Sequence, residues 1–248
     1  MTAGQPAGPA GTQVIVRTQG RSGEVVLRRA GAGLELIVNG VFLMDTGRGG
    51  ESERALAAAT LAQCPAERPA CLVGGLGFGY TVAEILALRP AARVTCVELE
   101  PAVLESLPLV AAACGHAAGL ATDPRLTLVP GDVLGWARQA AGRYHAILLD
   151  TDNGPSWLVR PENDRLYADD GLAVLARALR PGGVLGVWSA QPEQAFTGRL
   201  ARHFGAVREV EVPHRSGAPD VIYLGQAGQP ATQSRAARAA SMPRWNAG

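Results

Sequence analysis

The stretch from residue 70 to residue 80 reads ACLVGGLGFGY, an apolar run that passes into closely spaced glycines. An apolar run of this length bounded by glycine predicts a buried strand, and the following YTVAEILALR predicts a helix. Glycines in a strand-to-helix turn let the backbone bend sharply and let a ligand approach the main chain. The stretch therefore predicts a parallel α/β fold with a ligand-binding turn, although a tight turn without a ligand is the alternative.

The same alternation of strand and helix continues to the end of the ordered region. Strands are predicted at ARVTCVELE, RLTLVPGD, YHAILLD and VLGVWSA, with helices between them, and residues 164–180 (DRLYADDGLAVLARALR) read as one helix closed by Pro-Gly-Gly. The last two strands, VREVEV and DVIYLGQA, are close enough to form an antiparallel hairpin at one edge. The fold class predicted is a Rossmann-like, doubly wound, mostly parallel sheet.

A different pattern precedes this region. Residues 12–46 contain four short Val- and Ile-rich segments separated by turns with glycine, which predicts a small antiparallel sheet. We expect an N-terminal β-domain over 13–52 and the Rossmann-like domain over 53–227. Residues 1–12 and 228–248 are rich in Gly, Pro and Ala and are expected to be disordered tails.

The composition excludes several classes of partner. A net charge of +1 gives no electrostatic reason to expect nucleic acid or a membrane surface. No apolar run reaches about 18 residues and no signal peptide is evident, so a cytoplasmic location is expected. The four cysteines and four histidines lack metal-ligand spacing, so we expect structural roles for them and no metal.

The spacing of the glycines favours one kind of cofactor. The dinucleotide fingerprint is G-x-G-x-x-G, but here the sixth position counted from Gly75 is Tyr80. Gly75, Gly77 and Gly79 instead form G-x-G-x-G, typical of nucleoside-binding sheets of the methyltransferase kind. The loop residues expected to contact the cofactor are Gly74, Gly75, Leu76, Gly77 and Gly79.

Two carboxylates end the next strands of the predicted sheet. Glu98 lies 21 residues after Gly77, where it can accept both ribose hydroxyls of a nucleoside; a solvated acid is the alternative. Asp132 ends the third strand and can accept from an adenine amino group, or it can be a helix N-cap. Leu99 and Val133, next to these acids, are expected to contact the cofactor as well.

The fourth strand ends in LLDTDNGP, residues 148–155. Asp150 is expected at the reacting end of the cofactor, and Asp152 and Asn153 are candidates for orienting or deprotonating a nucleophile. An Asx-turn is the alternative, since Asp-Asn-Gly-Pro is strong turn chemistry, and the two readings are compatible. Asn163 and Tyr167 are expected to close the acceptor side of the pocket.

The chain from Gly23 to about Gly225 resembles the spermidine synthase (polyamine aminopropyltransferase) family. The resemblance is carried by VNGVFLMDTGRGGESERALA, LVGGLGFGYT, VTCVELEPAVLE, GDVLGWA, AILLDTDNGPSWLV and NDRLYADDGLAVLARALRPGGVLGVWSA. It implies an N-terminal β-domain before a Rossmann-like domain, with S-adenosylmethionine or its decarboxylated form as cofactor. It also implies Glu98 at the ribose, Asp132 at the adenine, and a possible homodimer.

The departures from that family pattern bear on the group transferred. Aminopropyltransferases carry an acid in a G-G-G-D-G-G loop and a D-x-x-D-P-x-G-P segment, whereas this loop has no acid and Asp150 is followed by Asp152 and Asn153. Binding a polyamine without paired carboxylates is costly. We therefore expect an S-adenosylmethionine-dependent transferase that methylates a small-molecule acceptor. The alternatives are a polyamine aminopropyltransferase that uses decarboxylated S-adenosylmethionine, and a non-catalytic nucleoside-binding protein.

Overall fold

A computed structural model describes residues 11–47, 50–213 and 217–228. The two tails predicted to be disordered lie outside these residues, except for their inner ends. Thr12, expected in the first tail, begins a strand, and Gly228 is described at the other end.

The N-terminal sheet has four antiparallel strands in sequence order: β1 Thr12–Gln19, β2 Glu24–Ala30, β3 Gly33–Val38 and β4 Val41–Asp45. The prediction of a small antiparallel sheet is confirmed. Buried residues alternate along β3, as expected when one face of a sheet packs on a core. Helix α1, Glu51–Ala62, follows, so the predicted domain boundary after residue 52 falls within its first turn.

Strands and helices then alternate through a seven-stranded sheet. The strands are β5 Ala70–Gly74, β6 Arg93–Glu98, β7 Leu126–Pro130, β8 Tyr144–Leu149, β9 Leu179–Ser189, β10 Ala206–Val212 and β11 Asp220–Gln226. The helices are α2 Tyr80–Leu88, α3 Pro101–Ala113, α4 Val133–Arg138, α5 Asp164–Tyr167, α6 Asp169–Ala178 and α7 Gln194–Leu200, with 3-10 turns at Gly115–Ala117, Leu120–Thr122 and Pro161–Asn163.

The order across this sheet is β10-β11-β9-β8-β5-β6-β7. Strands β9, β8, β5, β6 and β7 are parallel, whereas β11 pairs antiparallel with both β9 and β10. The predicted doubly wound sheet with an edge hairpin is therefore confirmed. The order of the strands reverses between β5 and β8, and ligands of such sheets bind at the carboxyl ends of the strands beside this point.

Two apolar layers cover the faces of the sheet. Helices α1, α2 and α3 and the inner face of the N-terminal sheet pack in one layer, with Leu27, Leu56 and Ile85 as members. Helices α4, α6 and α7 pack in the other layer, with Leu134 and Leu172 as members. The N-terminal sheet thus shares a core with the first three helices, and Met44 of β4 lies against Gly77, just beyond the carboxyl end of β5.

The predicted single helix over residues 164–180 is wrong. Helix α5 ends at Tyr167, Ala168 is extended, and α6 starts at Asp169. The two helices meet so closely that a Cβ on Gly171 would lie 2.0 Å from the carbonyl oxygen of Arg165. Glycine at this position therefore allows the corner, which a helical periodicity pattern does not reveal.

The Pro-Gly-Gly segment belongs to a strand and not to a helix end. Helix α6 stops at Ala178, and β9 begins at Leu179, five residues before the predicted strand. Leu179 pairs with Tyr144 and Val184 pairs with Ala146, so the residues between Leu179 and Val184 bulge out of the ladder.

Candidate nucleoside-binding and transfer site

A cleft lies at the carboxyl ends of β5, β6, β7 and β8, under the N-terminal sheet. The sheet and the segment after it contribute one wall, formed by Ser22, Leu36, Val38, Leu43 and Met44. The opposite wall contains most of the residues that the sequence predicted, namely Gly75, Gly77, Glu98, Leu99, Asp132, Val133, Asp150, Asp152, Asn153 and Asn163. The strand ends therefore meet at one cleft, as their parallel order requires.

The glycine turn after β5 lies close to the backbone at the end of β8. Gly75 has φ +87°, and a Cβ there would lie 2.1 Å from the carbonyl oxygen of Asp150. Gly77 faces Met44 of β4, whose sulfur would be 2.6 Å from a Cβ. Of the predicted loop contacts, Gly75 and Gly77 line the cleft; Gly74, Leu76 and Gly79 are absent from the described lining.

Glu98 is buried at the end of β6 and holds the turn in place. Its carboxylate accepts the backbone N–H of Leu76 at 2.7 Å and that of Glu100 at 2.8 Å. Burial raises the pKa of this carboxyl group, and the N–H donors partly oppose that rise. A carboxylate has about four lone-pair sites, so these two bonds leave acceptor capacity for hydroxyl groups of a ligand in the cleft.

Asp132 is the N-cap of α4. Its oxygens accept the backbone N–H groups of Leu134 at 3.3 Å and Gly135 at 3.1 Å, and Arg165 pairs with it at 2.9 Å. The capping alternative from the sequence is therefore what the structure shows. Asp132 also lines the cleft, together with Val133, so capping and a contact to a ligand are compatible.

Two further carboxylates, those of Asp150 and Glu53, line the cleft and influence each other electrostatically. Asp150 follows β8 and accepts the hydroxyl of Thr81 at 2.8 Å, and burial raises its pKa to about 6. Glu53 is on α1; burial, followed by the charge of Asp150, raises its pKa to about 7. These two groups can therefore hold negative charge against a cation, or accept a proton, near neutral pH.

Asp152, predicted as a catalytic and acceptor-binding residue, is buried and surrounded by donors. Its oxygens accept the backbone N–H of Val159 at 2.9 Å, the amide of Asn163 at 3.1 Å and the hydroxyl of Tyr167 at 3.0 Å. Thr151 adds a longer contact at 3.3 Å. These bonds hold the loop after β8 in place, so the role that they give Asp152 is to position that loop.

The remaining predicted residues differ in their access to the cleft. Asn153 and Asn163 line it, and Asn163 does so while it donates to Asp152. Tyr167 is almost fully buried and is absent from the described lining, and its hydroxyl is bonded to Asp152 and Thr151. Tyr167 therefore supports the loop from behind.

Sequence reasoning missed Glu53, Glu100 and Met44. Glu100 is buried and accepts the backbone N–H groups of Arg21 at 2.7 Å and Ser22 at 2.6 Å, which ties the β1–β2 turn to the cleft. The Met44 sulfur accepts the N–H of Phe78 at 3.2 Å. The one available signal was the acidic start of ESERALAAATLAQ, which the sequence explained equally well as a helix N-terminus.

A second cavity of about 420 Å³ adjoins the cleft at Glu53 and Asn153. Five residues line both spaces: Leu43, Met44, Glu53, Asn153 and Trp188. Aromatic and acidic side chains supply much of the rest of its lining, namely Phe42, Trp157, Asp45, Glu51 and Asp220. A molecule in this cavity would therefore meet the cleft at Glu53 and Asn153.

The histidines and cysteines in the described part of the chain have packing or hydrogen-bonding roles. His116 stacks on Tyr80 with ring centroids 3.7 Å apart, and His145 accepts the N–H of Ala70. His203 bonds Asp169 on the surface, and His214 lies outside the described residues. Cys64, Cys71, Cys96 and Cys114 are buried and free. Among the described helices, none has the length and apolarity to cross a bilayer.

The seven-stranded domain has a class I methyltransferase-like fold, and solved structures with similar folds include spermidine synthases. A spermidine synthase solved with the transition-state analogue AdoDATO superposes with a TM-score of 0.74 at 17% identity, over 88% of this chain and 74% of that one. Human methyltransferase-like protein 13, solved with SAH, superposes with a TM-score of 0.55 at 18% identity, over 79% of this chain and 95% of that one. At these identities the likeness concerns the fold.

Two kinds of curated protein match about half of this chain in sequence. Putrescine N-methyltransferase 4 of Nicotiana tabacum is 32% identical over 130 residues, which are 50% of this chain and 30% of the relative. The polyamine aminopropyltransferase of Mycobacterium tuberculosis is 32% identical over 124 residues, 49% of this chain and 23% of the relative. These relatives are a putrescine N-methyltransferase and a polyamine aminopropyltransferase, and each is matched over less than a third of its length. No family model matches the chain.

Proposed function

We propose that this protein is an S-adenosylmethionine-dependent transferase that methylates a small-molecule amine. One observation carries the proposal. A glycine turn, the strand-end carboxylate of Glu98 and a pair of acids, Glu53 and Asp150, all line the same cleft. The first two suit a nucleoside, and the pair suits the cationic end of a sulfonium cofactor. A relative that methylates putrescine agrees with this chemistry.

The residues of the cleft fit such a cofactor. Gly75 and Gly77 line the cleft with bare backbone, and glycine lets this turn lie close to Asp150 and Met44. Glu98 would hold the ribose with its remaining lone pairs, and Asp132, Leu99 and Val133 would lie along the base. The bound cofactor supplies a methyl group on a positively charged sulfur.

The chain's own contribution to transfer is positioning and proton removal. An amine must be neutral at its nitrogen to attack the methyl carbon as the carbon–sulfur bond breaks. Glu53 and Asp150, whose pKa values of about 7 and about 6 are raised by burial, are suited to accept the proton that the amine loses. Asp152 would hold the loop that carries Asn153, so the acceptor is aligned with little reorganisation.

Aminopropyl transfer is the second candidate, and one observation favours it. The loop acid of aminopropyltransferases is missing, but Glu53 from α1 places a carboxylate in the same cleft as Asp150. Paired acids are what a cationic aminopropyl arm requires. A homologous polyamine aminopropyltransferase agrees with this alternative.

Calorimetric titration with S-adenosylmethionine and with its decarboxylated form tests both candidates. We expect tighter binding of the intact cofactor and loss of binding, by at least about a hundredfold, in Glu98→Ala. Glu105→Ala, an exposed acid on α3, is the matched control and should bind normally. Preference for the decarboxylated form would replace the first candidate by the second, and binding of neither form would contradict both.

A cytoplasmic location and a homodimer remain predictions from the sequence. Size-exclusion chromatography with light scattering tests the dimer.

A further inference from the structure

The basic side chains are distributed unevenly over the molecule, and the net charge of +1 averages over this difference. The parallel strands all begin at one edge of the sheet, the amino edge, which lies opposite the cleft. Six exposed arginines, here called the amino-edge arginines, lie at the strand starts or at the ends of the preceding helices: Arg68, Arg93, Arg138, Arg143, Arg177 and Arg180.

Hydrogen bonds across the sheet make these side chains neighbours. The N–H of Arg93 donates to the carbonyl of Pro69 at 2.9 Å, which places Arg93 beside Arg68. The Nε of Arg180 donates to the carbonyl of Arg143 at 3.4 Å. Strands β6, β5, β8 and β9 are adjacent in that order, so the row of arginines extends over about 15 Å, which is three strand spacings.

The fold does not neutralise the charge of this row. No ion pair in the described ranges involves any of the amino-edge arginines. On the segments that connect the helices to the starts of the parallel strands, the acids are Glu67 and Asp123, and Asp123 pairs with Arg125 at 2.6 Å. The carboxylates of the cleft lie at the opposite edge, so the molecule is positive at one edge of the sheet and negative at the other.

A stabilising role at helix ends explains only part of this pattern. Arg138 and Arg177 lie in the last turns of α4 and α6, where a positive charge is favourable. Arg68, Arg93 and Arg143 lie outside the helices, so that role does not account for them.

The last described residues leave the sheet at the amino edge. The N–H of Ala227 donates to the carbonyl of Gly183 at 2.8 Å, and the N–H of Gly182 donates to the carbonyl of Ala227 at 3.2 Å, in the bulge that contains Arg180. Residues 229–248, which follow, include three arginines and no acid. The sequence attached to this edge therefore has the same sign of charge as the edge itself.

The chemistry of the row selects the kind of partner. Arginine binds phosphate groups through two parallel hydrogen bonds. Surfaces that dock on membranes add apolar side chains that enter the interface, but among the described residues at this edge Leu88 is the one large apolar side chain that is exposed. Stacking on bases requires free aromatic rings, whereas the indole of the nearby Trp136 donates to the hydroxyl of Tyr144 at 2.8 Å.

We propose that the amino edge is a docking surface for duplex nucleic acid, in which the amino-edge arginines contact backbone phosphates without reading the bases. This inference does not depend on the proposed function. The cleft is at the opposite edge, so it stays accessible when a duplex is bound.

Fluorescence anisotropy with a labelled, mixed-sequence DNA duplex tests the inference. We expect binding that weakens with salt, with a slope of log K against log[salt] no steeper than about −5, as six phosphate contacts give. Arg143→Glu/Arg180→Glu should weaken binding at least about tenfold and reduce that slope by about 2. Arg17→Glu/Arg29→Glu, at exposed positions of the N-terminal sheet, changes the net charge equally and should bind within about twofold of the wild type.

The outcomes decide between specific docking and its alternatives. Absence of duplex binding by the wild type, or an equal loss in the two double variants, overturns the inference. Binding to vesicles of anionic phospholipid without binding to the duplex also overturns it and replaces nucleic acid by a membrane surface. If circular dichroism shows that Arg143→Glu/Arg180→Glu is unfolded, Arg68→Gln/Arg93→Gln gives the same test: duplex binding should weaken at least about threefold, and unchanged binding overturns the inference.

Discussion

Glu53 shows how one residue acquires a chemical property from its surroundings. An exposed glutamate has a pKa near 4.5, but burial and the nearby Asp150, Asp220 and Asp45 raise the pKa of Glu53 to about 7. Asp150 is raised to about 6 by burial. Both groups therefore change charge close to physiological pH, although neither is a histidine.

The raised pKa of Glu53 predicts how stability depends on pH. The folded protein holds this proton more tightly than the unfolded chain, so the contribution to stability is fully present below about pH 4.5 and is lost as pH rises through about 7. Glu53→Gln stays neutral and should be more stable than the wild type at pH 8 by about 1–2 kcal/mol, with no gain at pH 4.5. Urea denaturation at both pH values measures this.

Glu105→Gln, at an exposed acid, is the control and should follow the wild type at both pH values. An identical pH dependence in wild type and Glu53→Gln would contradict the assignment.

At the scale of elements, the turn between β5 and α2 depends on contact with another strand's end. Gly75 lies against the backbone of Asp150, a contact that neither partner can relieve by moving a side chain. The turn and the loop after β8 are therefore fitted to each other, which fixes Gly75 relative to Asp150 in the lining of the cleft.

Replacement of Gly75 by alanine should destabilise the protein by at least about 3 kcal/mol, because it adds a backbone clash to a left-handed φ. Gly119→Ala is the matched control: its φ is +83°, but nothing lies within 4 Å of its Cβ position. That variant should cost only the strain of the left-handed conformation, about 1–2 kcal/mol. Equal losses in urea unfolding would show that the contact with Asp150 contributes nothing.

At the scale of the whole molecule, a buried carboxylate joins the two sheets at the cleft. Glu100, two residues beyond the end of β6, accepts two backbone N–H groups from the turn between β1 and β2. The shared apolar core brings the sheets together, and this pair of bonds fixes the turn where Ser22 lines the cleft.

Glu100→Gln should therefore loosen the N-terminal sheet. The glutamine side chain has one acceptor oxygen, and its amide nitrogen cannot accept the second N–H bond. We expect a loss of about 1–3 kcal/mol and faster hydrogen exchange of the amides of Arg21 and Ser22. Glu24→Gln is the control, since its ion pair with Arg17 is 47% exposed on both sides and is worth less than about 1 kcal/mol. Unchanged exchange at Arg21 and Ser22 would mean that apolar packing alone holds the turn.

The sequence by itself determined the strand and helix order and most of the cleft. Hydrophobic periodicity is a local property, and parallel strands bring their carboxyl ends to one edge, so Gly75, Glu98, Asp132 and Asp150 could be placed together without coordinates. The small antiparallel N-terminal sheet followed from the same kind of local pattern.

Only the tertiary structure decided which acids face the cleft freely and which serve the fold. Asp152 is occupied by donors from its own loop and from Tyr167 of α5, whereas Glu53 lines the cleft from a helix about 100 residues earlier. The break between α5 and α6 likewise depends on how closely Gly171 approaches Arg165. Hydrogen-bond partners and desolvation arise from residues distant in sequence, and a local pattern carries no information about them.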